Sequence, residues 1–412
     1  MKRRVSGLLC AALLGFGAPV AGAEDTTFKV FWKDGIRAES GDGDFKWKLG
    51  GRLQYDGAFF NQSNNNETSF PKVHDGSEFR RARIELEGTI YQRFIFKTQY
   101  DFADGNPAIK DAYLGVTGVP YIGRIRIGQS IEPVSLDQIT SSKYSEFMER
   151  GLTTAFAPDR NPGINLNNAF LDDRITYGFG VFRWGSDVSG NSAGDGTWNI
   201  AGRVTGLPWY EEEAKLVSIG VSADYTDVSG TLNFNARPEA HLAPKMADTS
   251  FSVTDPATKF NANSYFTIIP EAVLVYGPFS LQGEYAFTNT EAPDVGNPNF
   301  NAVTVSASYW ITGEHRRFKT DLAEFDRVKP NINFLQGGTG LGAWQVALRY
   351  SYLDLTDAQI RGGKISDVTA GINWQWNPNM RLMFNYVHSD VEDKNNLSGT
   401  LQTYEMRAQV DF

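Results

Sequence analysis

The sequence has a single cysteine and no long apolar run in its body. Cys10 lies in the N-terminal stretch, and loss of that stretch leaves a chain that can form no disulfide. After Ala23 no stretch approaches the roughly 18 consecutive apolar residues that a membrane-spanning helix requires. These two absences exclude a disulfide scaffold and a helical membrane protein.

Signs of a metal centre or of a catalytic site are also missing. No metal-ligand spacing connects the scattered histidines, and no nucleophile, Walker loop or dinucleotide motif stands in the context that such a site needs. We therefore predict no enzyme activity, no metal and no cofactor. The four histidines are His74, His241, His315 and His388.

The N-terminus has the pattern of a secretory signal. Lys2, Arg3 and Arg4 precede an apolar stretch, and a small-residue cleavage site ends at Ala23. Removal of residues 1–23 changes the formal net charge from −9 to −12, since three cations and no acids are lost. An acidic exported chain is a poor nucleic-acid binder, so we predict no nucleic-acid partner.

A strongly alternating stretch, Asp44 to Phe59 (DFKWKLGGRLQYDGAF), indicates a membrane strand. Apolar and polar residues alternate with period two, as in a strand with one apolar and one polar face. Its length exceeds the roughly 9–11 residues that a spanning strand needs. With the apolar face on lipid, Lys46, Lys48 and Arg52 would face a water-filled interior.

The rest of the chain repeats this unit about sixteen times. We predict an all-β, 16-stranded antiparallel transmembrane β-barrel over residues 44–412, after a polar periplasmic segment at 24–43. A last strand that ends in the periplasm makes Ile131–Gly163 and Asp227–Asn263 outer loops, and makes Thr312–Gly342 a long periplasmic connection. Ser142–Leu152 is predicted as a short helix with Ser142 as its N-cap.

Five ordered segments carry a resemblance to a known family. They are GGRLQYD at 50–56, EFRRARIELEGT at 78–89, IKDAYLGV at 109–116, TSSKYSEFMER at 140–150, and TGEHRRFK…FDRVKP within 312–330. Together they are similar to the phosphate-selective porin O and P family. The resemblance implies long loops folded into the lumen, a homotrimer in the lipid of the Gram-negative outer membrane, and passive uptake of phosphate or other small anions.

The resemblance also implies site residues. Arg52 and the Arg80–Arg81 pair match the arginines of the family's constriction. Strict alternation turns Arg81 inward and Arg80 outward, so both can face the pore only if a bulge or bend interrupts the strand. The positions assigned to anion attraction are Lys46, Lys48, Lys110, Lys143 and Arg237.

The sequence departs from the family pattern at three points. Lys110 stands where an acid is expected, Gln138 stands where a lysine is expected, and the outer loop offers only Arg237, His241 and Lys245 as cations. A general porin without phosphate selectivity therefore stays open as an alternative. A barrel enzyme and an adhesin are further alternatives, because long polar loops are compatible with both.

Overall fold

The computed structural model describes residues 27–103, 105–185, 197–250 and 260–412. The predicted signal segment, residues 1–23, lies outside the described residues. In the described part, sixteen long antiparallel strands close into a barrel, since the last strand pairs with the first long one from Leu401–Gln62 to Asp411–Arg52. The predicted fold class is confirmed.

Two short strands precede the barrel and four more lie within its connections. In chain order the strands are β1 (Phe28–Trp32), β2 (Ile36–Ser40), β3 (Phe45–Gln62), β4 (Gly76–Ile90), β5 (Phe94–Asp101), β6 (Ala108–Val119), β7 (Gly123–Ile131), β8 (Arg160–Phe170), β9 (Ile175–Arg183), β10 (Trp198–Glu212), β11 (Lys215–Leu232), β12 (Asn235–Ala236), β13 (Ala247–Asp248), β14 (Phe260–Tyr276), β15 (Phe279–Glu291), β16 (Asn299–Trp310), β17 (Phe318–Lys319), β18 (Glu324–Phe325), β19 (Ala343–Asp357), β20 (Ile360–Asn377), β21 (Met380–Glu392) and β22 (Ser398–Asp411).

The helices are short. They are α1 (Asn64–Ser69), α2 (Leu136–Ile139) and three 3₁₀ turns at Leu152–Phe156, Pro293–Val295 and Gln336–Gly338. None of the helices in the described ranges combines the length and the apolar character needed to cross a bilayer.

The alternation of β3 sets its two faces as the sequence predicts. Leu53 and Tyr55 point outward and are 40% and 45% exposed, whereas Arg52, Gln54 and Asp56 are buried on the inner side. Charges avoid the outer face because a charged side chain opposite lipid costs about 2–4 kcal/mol at the bilayer midplane. Polar residues therefore fill the interior of the barrel.

The residues predicted as a polar lead-in contain an antiparallel hairpin. β1 pairs with β2, and β2 continues onto the first residues of β3, with Ile36 opposite Leu49 and Glu39 opposite Lys46. The hairpin thus extends the sheet at the end of the barrel that holds Phe412, the end predicted to be periplasmic. The boundaries 24–43 and 44–412 stay a prediction.

The predicted helix at Ser142–Leu152 is wrong. The loop instead contains α2, whose N-cap Ser135 accepts a hydrogen bond from the Gln138 amide at 3.2 Å, and the 3₁₀ turn Leu152–Phe156. The stretch between them is irregular because its backbone carbonyls bind the barrel wall rather than the next turn. Arg381, for example, donates to the Ser145 carbonyl at 2.8 Å.

Barrel closure depends on a close approach at Gly51. The Gly51 amide donates to the Phe412 carbonyl at 2.7 Å, and the Phe412 amide donates back at 3.0 Å. A Cβ on Gly51 would lie 2.5 Å from the Arg83 carbonyl oxygen and 2.9 Å from the Phe412 ring. A side chain at Gly51 would therefore push the closing strand away.

We expect Gly51→Ala to reduce the yield of folded barrel, measured as the heat-modifiable band from purified outer membranes. Gly57→Ala is the matched control, because Gly57 lies on the same face of β3 and a Cβ there would meet no atom within 4 Å. Equal yields of the two variants would contradict the closure argument.

Candidate functional site

Three segments of the chain enter the barrel lumen. The first lumen loop, residues 132–159, crosses the barrel and fixes the Glu146 carboxylate beside Ser308 of β16 and Gln345 of β19 on the opposite side. The predicted inward folding of the loops is therefore confirmed. The segment narrows the lumen near the level of Arg52, which donates to the Ser142 hydroxyl.

The second lumen loop, described over residues 233–250, lies against β19 and β20 of the wall. Glu239 is 2% exposed. Its carboxylate accepts hydrogen bonds from Arg349 Nε at 2.8 Å and from the hydroxyls of Ser351 and Thr369. Removing one partner of a buried ion pair costs about 3–5 kcal/mol. This contact therefore holds the loop against β19 and β20.

The third segment, residues 311–342, is the connection predicted to be periplasmic, and we call it the periplasmic insert; it folds into the lumen. Arg316 Nη1 lies 2.9 Å from the Glu146 carboxylate of the first lumen loop. Phe318 and Phe325 are buried beside Leu136 of the same loop. The sequence predicted a long periplasmic connection here, but not that it reaches the first lumen loop.

The space that remains is a cavity of about 660 Å³ with a strongly cationic lining. Eighteen Lys and Arg residues line this cavity, against nine Asp and Glu residues. The whole chain has the opposite balance, with 48 acids and 39 cations. The fold has therefore concentrated positive charge along the passage and placed the excess of acids elsewhere.

Arg52 and Arg81 lie side by side in this lining. Arg52 is opposite Arg83 across the β3–β4 ladder, and Gln54 is opposite Arg81. Arg81 Nη1 donates to Gln54 Oε1 at 2.9 Å. Arg83 is paired with Asp101 at 2.6 Å, whereas Arg52 and Arg81 form no salt bridge within the described ranges. Two guanidinium groups without a salt bridge thus lie at the narrowed level.

A bulge brings Arg80 to the same side as Arg81. The register of β3 and β4 shifts between Gln54, opposite Arg81, and Tyr55, opposite Phe79, so that Arg80 is the extra residue. The bulge that the sequence required for both side chains to face inward is present. Arg80 is not free, however, because Glu149 of the first lumen loop accepts from its Nε at 2.8 Å and from its Nη2 at 3.0 Å.

Glu149 also binds Arg407, whose guanidinium forms two hydrogen bonds of 2.7 and 2.6 Å with Asp56. Burial alone would raise the pKa of Glu149, but the guanidinium groups of Arg80 and Arg81 hold it well below its usual value. The carboxylate is therefore ionised at any neutral pH. It neutralises much of the charge that Arg80 would offer to an anion.

Lys143, one of the positions assigned to anion attraction, lies deep in the lumen. Its Nζ is 2.7 Å from the Glu85 carboxylate, and the residue is buried. Glu85 is opposite Gly50, two residues from Arg52 along β3. Lys143 thus stands next to the Arg52 level instead of at an outer rim.

The remaining predicted cations divide into two groups. Lys48 and Lys110 line the cavity, and Lys48 lies 3.8 Å from both Glu85 and Glu87. Lys46 and Arg237 are exposed and do not belong to the described lining of the cavity. Arg237 instead donates to the His241 carbonyl within its own loop.

Sequence reasoning missed two arginines of the lining, Arg124 and Arg126 on β7. The run GRIRIG places them two residues apart, and this alternation with isoleucine could have identified them as inward-facing. In the described part of the chain no cluster of three or more His, Cys, Asp or Glu residues suits a metal ion. The excess of cations in the lining suits it to holding anions by charge and hydrogen bonds.

Comparison with known proteins identifies the family. The model of the phosphate-selective porin O and P family matches residues 47–412. The chain belongs to this family. It is 27% identical over 404 residues to Porin O of Pseudomonas aeruginosa, covering 89% of this chain and 88% of that protein. An uncharacterized protein of Caulobacter vibrioides is 25% identical over 419 residues, with 96% and 79% covered.

Solved structures share the fold of this family member at low sequence identity. The outer-membrane channel DcaP of Acinetobacter baumannii superposes with a TM-score of 0.56 at 13% identity, over 91% of this chain and 99% of that one. An anion-selective porin from Comamonas acidovorans gives 0.54 at 14% identity, over 89% and 99%. The chain is thus a porin of the Gram-negative outer membrane, a channel and not an enzyme.

The buried Lys143 gives this porin a pH-dependent charge near the narrowed level. Burial lowers the pKa of Lys143 to about 8, and the attraction of Glu85 opposes this only in part. Because its pKa is lowered, the ammonium is charged below about pH 8 and neutral above it. We expect the preference for anions over cations, measured as reversal potential in a salt gradient, to fall between pH 7 and 9.

Two variants separate this effect from other titrations. Lys143→Arg keeps its positive charge between pH 7 and 9, so the preference for anions should stay high and show no step with pH. Lys143→Met should give the low preference without a step. A step of unchanged size in either variant would show that another group is responsible.

Proposed function

We propose that this porin is an anion-selective channel for the passive uptake of phosphate or polyphosphate, and that it assembles as a homotrimer. The observation that carries the proposal is the excess of cations along the passage of an acidic chain. A cationic passage raises the local concentration of anions and repels cations.

Arg52 and Arg81 are proposed as the narrowest binding level. Their guanidinium groups lack carboxylate partners among the described residues, and each offers planar donors that suit phosphate oxygens. Lys48, Lys110 and Lys143 are proposed to attract the anion toward this level. Lys46, Arg80 and Arg237 are weaker candidates, because Glu149 binds Arg80 and the other two lie outside the lining.

The proposed preference for phosphate and the proposed trimer rest on the family to which the chain belongs. The matched family is described as phosphate-selective porin O and P, and one structural relative is described as an anion-selective porin. Spaced cations suit such transport, because a permeating ion must bind well enough to enter and weakly enough to leave. Several moderate sites meet this need better than one deep site.

A second candidate is an anion porin without phosphate selectivity. It is favoured by Glu149, which accepts hydrogen bonds from Nε and Nη2 of Arg80 and so leaves Arg52 and Arg81 as the guanidinium groups of the narrowed level without a salt bridge. The two candidates differ in whether phosphate or pyrophosphate blocks chloride current more strongly than sulfate does. Wild-type block in a planar bilayer separates them.

We expect Arg52→Ala together with Arg81→Ala to reduce anion preference sharply, and each single change to do less. At an effective dielectric nearer 20 than 80, a charge at about 4 Å contributes roughly 4 kcal/mol, compared with about 1 kcal/mol in water. The reversal potential should move toward that of a neutral pore, and phosphate should block chloride current less.

The matched control removes two arginines that are exposed and outside the cavity lining, Arg93 and Arg361. Arg93→Ala with Arg361→Ala should leave both readouts near wild type. If the two double variants behave alike, Arg52 and Arg81 are ordinary wall charges and their assignment to the binding level is wrong.

A further inference from the structure

A bulge in β6 turns two neighbouring side chains into the cavity, as the bulge in β4 does. The register of β6 with β5 shifts by one residue between Thr98 and Tyr100, so that Lys110 and Asp111 stand opposite Gln99 alone. An extra residue of this kind interrupts the strict alternation of a strand. Lys110 and Asp111 accordingly both line the cavity, although they are adjacent in sequence.

The two residues of the bulge differ in whether their charge is already used. The Asp111 carboxylate accepts from Arg160 Nε at 2.9 Å and lies 3.6 Å from the Lys97 ammonium. Lys110, which is half-buried, forms no salt bridge within the described ranges. The bulge therefore presents a cation to the passage while wall cations neutralise the acid beside it.

Two further acids act electrostatically on Lys110, and both already have arginine partners. Asp159 lies 2.8 Å from Arg160, and Asp101 lies 2.6 Å from Arg83. A carboxylate that is paired in this way offsets little of the charge of a neighbouring lysine. Most of the Lys110 charge is thus available to an anion in the cavity.

The sheet places Lys110 beside the Arg52 level. Arg52 is opposite Arg83 of β4, Arg83 is opposite Asp101 of β5, and Asp101 is opposite Ala108 of β6. Lys110 follows two residues after Ala108, on the same face of the sheet. An anion held at the Arg52 level would therefore be attracted by this ammonium as well.

A glutamine on the lipid-facing side of β7 contacts the bulge from behind. Gln129 is opposite Ala112, where the main-chain pairing of β6 with β7 begins. Leu114 and Ile127, which are two residues further along these strands, are 71% and 59% exposed on the outer face. Alternation therefore directs Gln129 outward too, yet the residue is buried, because its side chain folds over the end of the paired part of β6.

The Gln129 amide takes the place of a missing strand partner. Its Nε2 donates to the Ile109 carbonyl at 2.8 Å and to the Lys110 carbonyl at 3.2 Å. A membrane-spanning wall offers no water to such carbonyl groups, so each one needs a partner within the protein. The two hydrogen bonds satisfy this need and fix the backbone of the residue that carries the free ammonium.

We propose that Gln129, although it lies outside the pore, is a positioning residue for anion permeation, because it fixes the bulge that presents Lys110 to the passage. The proposal rests on the proposed anion channel and adds to it a residue that sets the strength of anion binding without touching the anion. Loss of its two hydrogen bonds frees the bulge, and the ammonium then spends less time beside the Arg52 level.

The test is a double-mutant cycle on the block of single-channel chloride current by inorganic phosphate at neutral pH. Lys110→Gln should weaken the block about threefold to tenfold, the scale of one unit charge several ångströms away in a partly hydrated pore. Gln129→Met keeps the length of the side chain but donates no hydrogen bond, and it should weaken the block about twofold to fivefold through the displaced ammonium. In the Lys110→Gln background Gln129→Met should add nothing, because the effects of residues that act through one another are not additive.

Gln375→Met is the matched control. Gln375 Nε2 donates to the Asn377 carbonyl at 2.7 Å, beside a register shift between β20 and β21, and the residue lies outside the described lining of the cavity that holds Lys110. The control variant loses the same kind of contact at a bulge that presents no cation to this cavity. Its phosphate block should equal that of the wild type.

Several outcomes would overturn the proposal. It fails if Lys110→Gln leaves phosphate block unchanged, a result that does not depend on how the Gln129 variant folds. It also fails if Gln129→Met has no effect, acts equally with and without Lys110, matches Gln375→Met, or yields no heat-modifiable barrel, since the glutamine then serves stability alone. Failure of the proposed function looks different, because wild-type protein would then have no anion preference and no phosphate block at all.

Discussion

The arrangement of the lumen depends on ion pairs between carboxylates of the inserted loops and arginines of the wall. Glu149 binds Arg80 and Arg407, and Glu239 binds Arg349, each pair being mostly buried. Both partners of such a pair lose water, so either one alone would be strongly unfavourable. The loops are therefore held at fixed positions inside the barrel, and the passage has a fixed width and lining.

The same pairs determine which cations remain for a permeating ion. Two carboxylates that the loops bring inward neutralise wall arginines, as Glu149 does with Arg80 and Glu239 with Arg349. Arginines that no loop acid reaches, such as Arg52 and Arg126, keep their charge and part of their donor capacity. The anion path therefore follows the cations that remain without an acid partner, because the wall supplies more cations than the loops supply acids.

Local sequence rules predicted the wall well. Period two was enough to place Arg52 inward and Tyr55 outward, because a charge opposite lipid is too costly to tolerate. The same rule, applied to the adjacent Arg80 and Arg81, required a bulge, and the register of β3 and β4 contains one. Had it been applied to GRIRIG, it would also have identified Arg124 and Arg126.

The contents of the lumen follow no such local rule. Lys143 meets Glu85 across 58 residues of sequence, and Arg407 meets Glu149 across 258. The stretch after Ser142 has helical composition, yet its backbone is used to cross the barrel and accept from Arg381. The periplasmic insert contacts the first lumen loop through the salt bridge between Arg316 and Glu146. No residue spacing within either segment predicts this pair. Such contacts depend on the closed barrel, since only the closed wall sets the distance that each loop must span.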